Sequence, residues 1–360
     1  MGHAMKRVGK TIVNILKFTV GIGIIVFLVY KMRDMDWADI RQEVAGNWPW
    51  LVLGVGLFGV CLICCMWRWA VLVKAQGIAT KFNRICGVFF IGHFFNSFLM
   101  GATGGDLVKA VYVSKETSEK KTEAVATVFI DRFMGLIVLM VLAVTMMLTR
   151  MDIYWDYIAF DKLGNPHHPT RAILWFMIAL LTATLGVLAL AFAQNIFERW
   201  SLLRKLVEKL AVVGRVLNRV YDAFYLYRRQ PGVLFKALGL SLLNHLVFIV
   251  MVVSLGRGLG IELSYLTYMA TIPAINVLGS LPITPGGLGI REAAYVLVLG
   301  TVGVAGGKAL TLSLLYYATN LSWSIVGAFV FMFFSSKSGH SMREEMRELR
   351  DSDSDSDSDA

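Results

Sequence analysis

Two stretches decide how this chain is read: Asn96-Ser97-Phe98-Leu99-Met100-Gly101-Ala102-Thr103-Gly104-Gly105-Asp106-Leu107-Val108-Lys109, and Leu281-Pro282-Ile283-Thr284-Pro285-Gly286-Gly287-Leu288-Gly289-Ile290-Arg291-Glu292. Each follows an apolar run, 85–100 and 264–280, that falls short of the roughly 20 helical residues needed to cross ~30 Å of hydrocarbon. Each then breaks into glycines, which permit tight turns and close backbone approach. Pro282 and Pro285 break the second further. A short apolar run that ends this way and then resumes a helical pattern reads as a re-entrant hairpin, entering a membrane and returning to the face it left. Irregular backbone at that depth is tolerated only where protein buries it or a wet cavity faces it.

Working outward, apolar runs near 11–30, 50–67, 124–149, 172–194, 236–256 and 309–334 are long enough to cross fully. The whole chain agrees: of 360 residues 56% are hydrophobic and 17% charged, against about 25% charged in a soluble domain. That balance excludes a disordered chain, a nucleic-acid binder and an ordinary soluble enzyme. The net charge of +10 reads as topology and attraction to anionic lipid. Lys6, Arg7 and Lys10 place the N-terminus in the cytoplasm, and the Lys/Arg-rich segment 195–236 belongs there too. An even number of crossings must separate them. The four runs between supply it only if 85–100 turns back, and the same logic applies to 264–304 on the opposite side. The fold class expected is an all-α integral membrane protein with six full transmembrane helices and two re-entrant helical hairpins. They form inverted-topology halves, 11–149 and 172–334, an arrangement that points to a transport site where the interrupted segments meet.

Other segments are plainer. Apolar residues of 195–236 fall at helical spacing among arginines and lysines, giving a basic amphipathic connector lying in the headgroup layer. Residues 1–10 are a cytoplasmic N-terminus. Residues 335–360 are a cytoplasmic tail ending in a disordered Asp-Ser repeat. Thr11–Tyr30 reads as an anchor rather than a cleaved signal. Trp48 and Trp50, then Trp67 and Trp69 around Arg68, read as two interfacial belts a bilayer apart. Cys61, Cys64, Cys65 and Cys86 read as core thiols, and His167-His168 lacks carboxylates at ligand spacing, so no metal and no cofactor is expected. Asn244 and His245 read as interhelical hydrogen bonders.

The residues that can carry chemistry cluster at the turns. Asn96, Gly104, Gly105, Asp106 and Lys109 surround the first, with Asp106 as the expected N-cap of a restarting helix whose N–H groups attract phosphate. Pro285, Gly286, Gly287, Arg291 and Glu292 surround the second, whose helix restarts near Leu288. Asp131 and Arg132 sit inside a crossing run, where each charge costs at least ~2.5–3.5 kcal/mol. Adjacent residues point in different directions, so each needs its own partner. Arg132 has Asp106, Glu292 or a lipid phosphate within reach of the reading, and Asp131 has Lys109 or Arg291. The plain alternatives are a tight turn with an Asp–Lys pair, a structural hinge, and an arginine snorkelling to the interface.

Three ordered motifs, Gly92–Lys109, Phe129-Ile130-Asp131-Arg132-Phe133-Met134-Gly135-Leu136 and Leu281–Glu292, resemble the lysylphosphatidylglycerol synthase transmembrane region, or flippase-like, family. The likeness covers nearly all of 11–334. It implies a role in moving or presenting a lipid across the inner membrane. In bifunctional members a cytoplasmic aminoacyl-transferase domain makes the lipid; this chain is expected to be a stand-alone member, with nothing after Phe334 of that kind. Two positions depart from the family pattern: Met100 stands where proline is common, and Lys109 where arginine is common.

Together these readings lead to a lipid translocase for a phospholipid or lipid-linked intermediate, polyprenyl-phosphate-linked lipids included. Its headgroup would sit among Asp106, Lys109, Asp131, Arg132, Arg291 and Glu292, while one half rocks against the other. Expected partners are membrane lipids with an anionic headgroup, with a homo-oligomer or envelope-synthesis proteins left open and nucleic acid excluded. The expected location is the inner cell membrane, multi-pass, with both termini cytoplasmic. The alternatives are an intramembrane transferase with Asp131 or Glu292 as general base, and a non-catalytic partner of an envelope-synthesis complex.

Overall fold

The computed structural model describes residues 37–98, 104–117, 120–160, 166–192, 225–227, 230–281, 284 and 287–338. The first expected crossing (11–30), the tail and nearly all of the amphipathic connector therefore lie outside the described residues, as do Pro285 and Gly286. The described chain is helical: α1 Trp37–Ala75, α2 Phe82–Phe98, α3 Gly104–Lys115, α4 Lys121–Thr149, α5 Met151–Tyr154, α6 Pro169–Phe192, α7 Pro231–Gly258, α8 Tyr265–Ser280, α9 Ile290–Gly300 and α10 Gly306–Ser338. One two-residue antiparallel pairing, β1 Ala159–Phe160 with β2 Pro166–His167, closes the loop between α5 and α6.

Five segments are long and apolar enough to cross a membrane: Arg41–Ala75, Lys121–Thr149, Pro169–Gly186, Pro231–Gly258 and Gly306–Phe334. They coincide with five of the six runs read from sequence. By contrast α2, with 17 residues, and α8, with 16, would each span about 25 Å, short of the hydrocarbon thickness. The chain is a multi-pass membrane protein.

The first crossing run extends well past its sequence limits. The helix α1 has 39 residues and kinks at Asn47 (φ −117°, ψ 18°), just before Pro49, whose ring pushes on the preceding turn. The Asn47 side-chain amide covers the Glu43 carbonyl there (3.1 Å). At its other end α1 continues through Arg68 to Ala75, so Arg68 lies within the helix rather than at its edge.

The most extensive contact is between α1 and α7. They run antiparallel: Leu51 meets Gly258, Gly54 meets Leu255, and Arg68 meets Ser241. Glycine lets the backbones close up here, since a Cβ on Gly54 would lie 2.5 Å from the Leu255 side chain. Around this seam α2 packs on α3 and on α10, α8 packs on α9 and on α4, and α3 and α9 lean on α4 and α10 respectively. The large buried side chains Trp69, Tyr268 and Tyr295 fill the centre. A second, smaller core of Leu72, Ile130, Met134, Tyr227 and Ala237 ties the end of the connector to α1, where the Tyr227 hydroxyl donates to the Leu72 carbonyl (3.0 Å).

Candidate functional site

The first turn is built by backbone contact. The Asn96 amide oxygen accepts from the Gly105 N–H (2.9 Å). A Cβ on Gly105 would lie 1.8 Å from the Gly92 carbonyl oxygen, so only glycine lets α2 and α3 meet. The helix α3 begins at Gly104 and carries Asp106 in its first turn; Asp106 is thus not the N-cap expected from sequence, because the two glycines are already helical. The Asp106 carboxylate instead reaches sideways, to Arg132 Nε (2.5 Å) on α4 and to Lys109 Nζ (3.7 Å) one turn on. Lys109 is buried, its ammonium over the rings of Phe89 (4.5 Å) and Trp69 (5.7 Å). Aromatic faces hold a cation where water is scarce.

On α4 the neighbours Asp131 and Arg132 diverge as helical geometry requires. Arg132 points outward, its side chain 40% exposed. Asp131 points inward and is buried, but it pairs with neither Lys109 nor Arg291. Its partner is Arg68 (Nε–Oδ1, 2.6 Å), which also donates to Ser241 Oγ on α7 (2.9 Å). Sequence reasoning missed Arg68 by assigning it to an interfacial belt. Trp67 is indeed exposed, whereas Trp69 is wholly buried and donates its indole N–H to Thr127 Oγ1 (3.2 Å). Gly135 makes room for the guanidinium: a Cβ there would lie 2.9 Å from Arg68 Nη1. The Gly135 carbonyl lies 3.0 Å from His245 Nε2, the interhelical bond expected of that histidine.

The second turn forms a separate ionic group. Gly287 has φ +71°, and a Cβ on it would lie 2.2 Å from the Gly279 carbonyl oxygen. The helix α9 starts at Ile290, two residues later than expected, after Gly289 with φ +84°. Glu292, fully buried, folds back to accept from the Gly289 N–H (2.5 Å), from Arg291 Nη2 (2.7 Å) and from Ser313 Oγ (3.2 Å). The Arg291 guanidinium lies over Tyr316 (5.2 Å) and Tyr317 (5.0 Å) of α10. Among the described residues no ion pair or hydrogen bond joins this group to the Asp106 group. The charges expected in a single pouch are therefore divided, Asp106 with Lys109 and Arg132, Asp131 with Arg68, and Arg291 with Glu292. No cluster of His, Cys, Asp and Glu suited to a metal ion occurs among the described residues, and the cysteines described are unpaired.

The family profile described as the lysylphosphatidylglycerol synthase TM region matches residues 14–327. The chain belongs to that family. Two relatives match most of this chain at low identity. A UPF0104 membrane protein of Pyrococcus horikoshii is 24% identical over 322 residues, covering 86% of this chain and 89% of the relative. A UPF0104 membrane protein of Methanothermobacter thermautotrophicus is 21% identical over 261 residues, covering 71% and 76%. All three motif blocks that carried the resemblance fall inside the matched span of this TM-region member.

Proposed function

We propose that this TM-region protein moves or presents a phospholipid, or a lipid-linked intermediate, across the inner membrane, and that the headgroup is handled at Asp106, Lys109 and Arg132. One observation carries the reading. Asp106, Lys109 and Arg132 form a group of two cations and one anion, beside the self-neutralised Arg68–Asp131 pair, and Arg132 is the member that faces outward. An exposed guanidinium beside the first turn of α3, where N–H groups lack intrahelical partners, suits a phosphate. Family membership supports a lipid substrate. The interchange of packing partners supports inverted halves meeting at re-entrant turns: α2 lies on α10 as α8 lies on α4, about a shared α1–α7 seam. In this reading both termini are cytoplasmic and the chain works with anionic lipids as its partners.

A transferase reading is supported less. Its two candidate bases, Asp131 and Glu292, are each engaged by a guanidinium, and Glu292 also by the Gly289 N–H and Ser313, so neither is turned toward an open site. The test is transbilayer movement of fluorescent phosphatidylglycerol in proteoliposomes. Arg132→Gln is expected to slow it about tenfold, the effect of ~1.4 kcal/mol, with thermal stability within ~1 kcal/mol of wild type. An unchanged rate in the well-folded variant removes the headgroup role from Arg132 and the proposal with it.

A further inference from the structure

A second lipid-shaped feature lies away from the Asp106 group, between α2 and α10. The two helices touch backbone to backbone where Gly327 meets Phe90: a Cβ on Gly327 would lie 2.2 Å from the Phe90 carbonyl oxygen. From there they part, leaving an apolar wedge of about 500 Å³ lined by Gly87, Phe90, Val326, Phe329, Phe333 and Phe334. Phe329 and Phe333 are 55% and 70% exposed, so the wedge opens sideways. From Asn83 to Phe90 it follows α2 for roughly 10 Å, most of one leaflet's ~15 Å of hydrocarbon.

The open end of the wedge is polar. A second basin of about 610 Å³, lined by Lys81, Asn83, Arg84 and Glu116, shares Asn83 and Phe334 with it. Arg84 is held in place, its guanidinium over the Phe334 ring (4.4 Å) and its Nε on Glu116. Lys81 is exposed and forms no ion pair among the described residues. Beside the basin, exposed Trp67 packs edge-on against Phe82, the first residue of α2 (6.4 Å), and exposed tryptophan favours the headgroup layer. An apolar slot about two thirds of a leaflet deep, opening into a basin with a surplus cation, matches the upper part of an acyl chain with a negative phosphate above it.

We propose that this wedge holds one glycerophospholipid with an anionic headgroup, an acyl chain between α2 and α10 and its phosphate over Lys81 and Arg84. The site stands apart from Arg132 and does not rest on the translocase reading. Native mass spectrometry of the full chain, with phosphatidylglycerol or phosphatidylcholine of identical chains added, tests it. The wild type is expected to retain one phosphatidylglycerol through a stripping wash that removes phosphatidylcholine. Lys81→Gln should weaken retention roughly fivefold, the effect of one surface cation on an anionic lipid. Val326→Trp, at an exposed position on the wedge wall, should abolish it. Thermal denaturation guards against misfolding: each variant should keep the wild-type midpoint without lipid and lose the rise that phosphatidylglycerol gives. Wild-type retention in both variants overturns the site. Loss of the lipid in Arg132→Gln but not in Lys81→Gln also overturns it, by moving the lipid to the α3 turn.

Discussion

The two glycine-broken turns contain the same ingredients and use them differently. At the second, Arg291 and Glu292 are sequence neighbours, almost wholly buried, and satisfied by each other, by the Gly289 N–H and by Ser313. That ionic group closes on itself and fixes the start of α9. At the first, Asp106 gathers Lys109 from its own helix and Arg132 from α4, and Arg132 remains partly exposed. A glycine pair followed by charges therefore marks a backbone that must come close. Whether the charges face a ligand depends on how many separate helices contribute them and whether one is left facing out.

Stability and transport measurements on single variants break or sharpen that contrast. The largest effect is expected for Arg68→Met, which leaves Asp131 buried without its guanidinium; the loss is about 3–5 kcal/mol, read as a fall in thermal midpoint in detergent. Adding Asp131→Leu should restore much of it, because an apolar pair removes the stranded charge. Next, Glu292→Gln, which leaves buried Arg291 without its carboxylate, should destabilise by about 3 kcal/mol, the low end of the same range because the glutamine amide keeps part of the hydrogen bonding. Asp106→Asn should cost about 1 kcal/mol or less while slowing lipid movement. Equal stability losses at the two turns would end the distinction between them. Tyr227→Phe, which cuts the connector's tie to Leu72, should cost ~1 kcal/mol.

The smallest effect lies outside the membrane-spanning segments. The side-chain hydrogen bond from Arg150 holds the Asp152 carboxyl below the usual carboxylate range. A depressed value in the folded state means that the stability it adds is present above the ordinary carboxylate pKa of ~3.9 and is lost as pH falls through the folded value. Asp152 is exposed, so Asp152→Asn should remove less than ~1 kcal/mol. The variant's midpoint should flatten against pH at the acidic end.

Much of the fold was legible because it rests on length and apolarity. Five crossings fall where the hydropathy of the chain puts them, and the short runs are short helices. The site was only partly legible. The separate directions of Asp131 and Arg132 followed from their spacing, and the pairing of Arg132 with Asp106 was one of three partners considered. Arg68 was lost because Trp67 and Trp69 were read together as a belt, although residues two apart lie about 200° round a helix. One faces outward and one inward, and an arginine among them has a choice of face that only tertiary packing settles. The start of α3 was misjudged because Asp106 suits an N-cap, whereas contact with Gly92 and the Asn96 amide draw the helix back to Gly104. Arg291–Glu292 defied the expectation that neighbours do not pair, since Glu292 curls toward its own helix start.

The exchange of supports has a mechanical consequence. Each turn rests on the final long helix of the opposite sequence half, α2 on α10 and α8 on α4, while Arg68 pins α4 to α7 across the seam through Asp131 and Ser241. The packing therefore braces the two sequence halves against each other, and neither stands as a separate block. Hydrogen bonds of Ser97 with Ser324 and Asn320 tie the Asn96 corner to α10, so a displacement of α10 would be felt at the turn belonging to the other half.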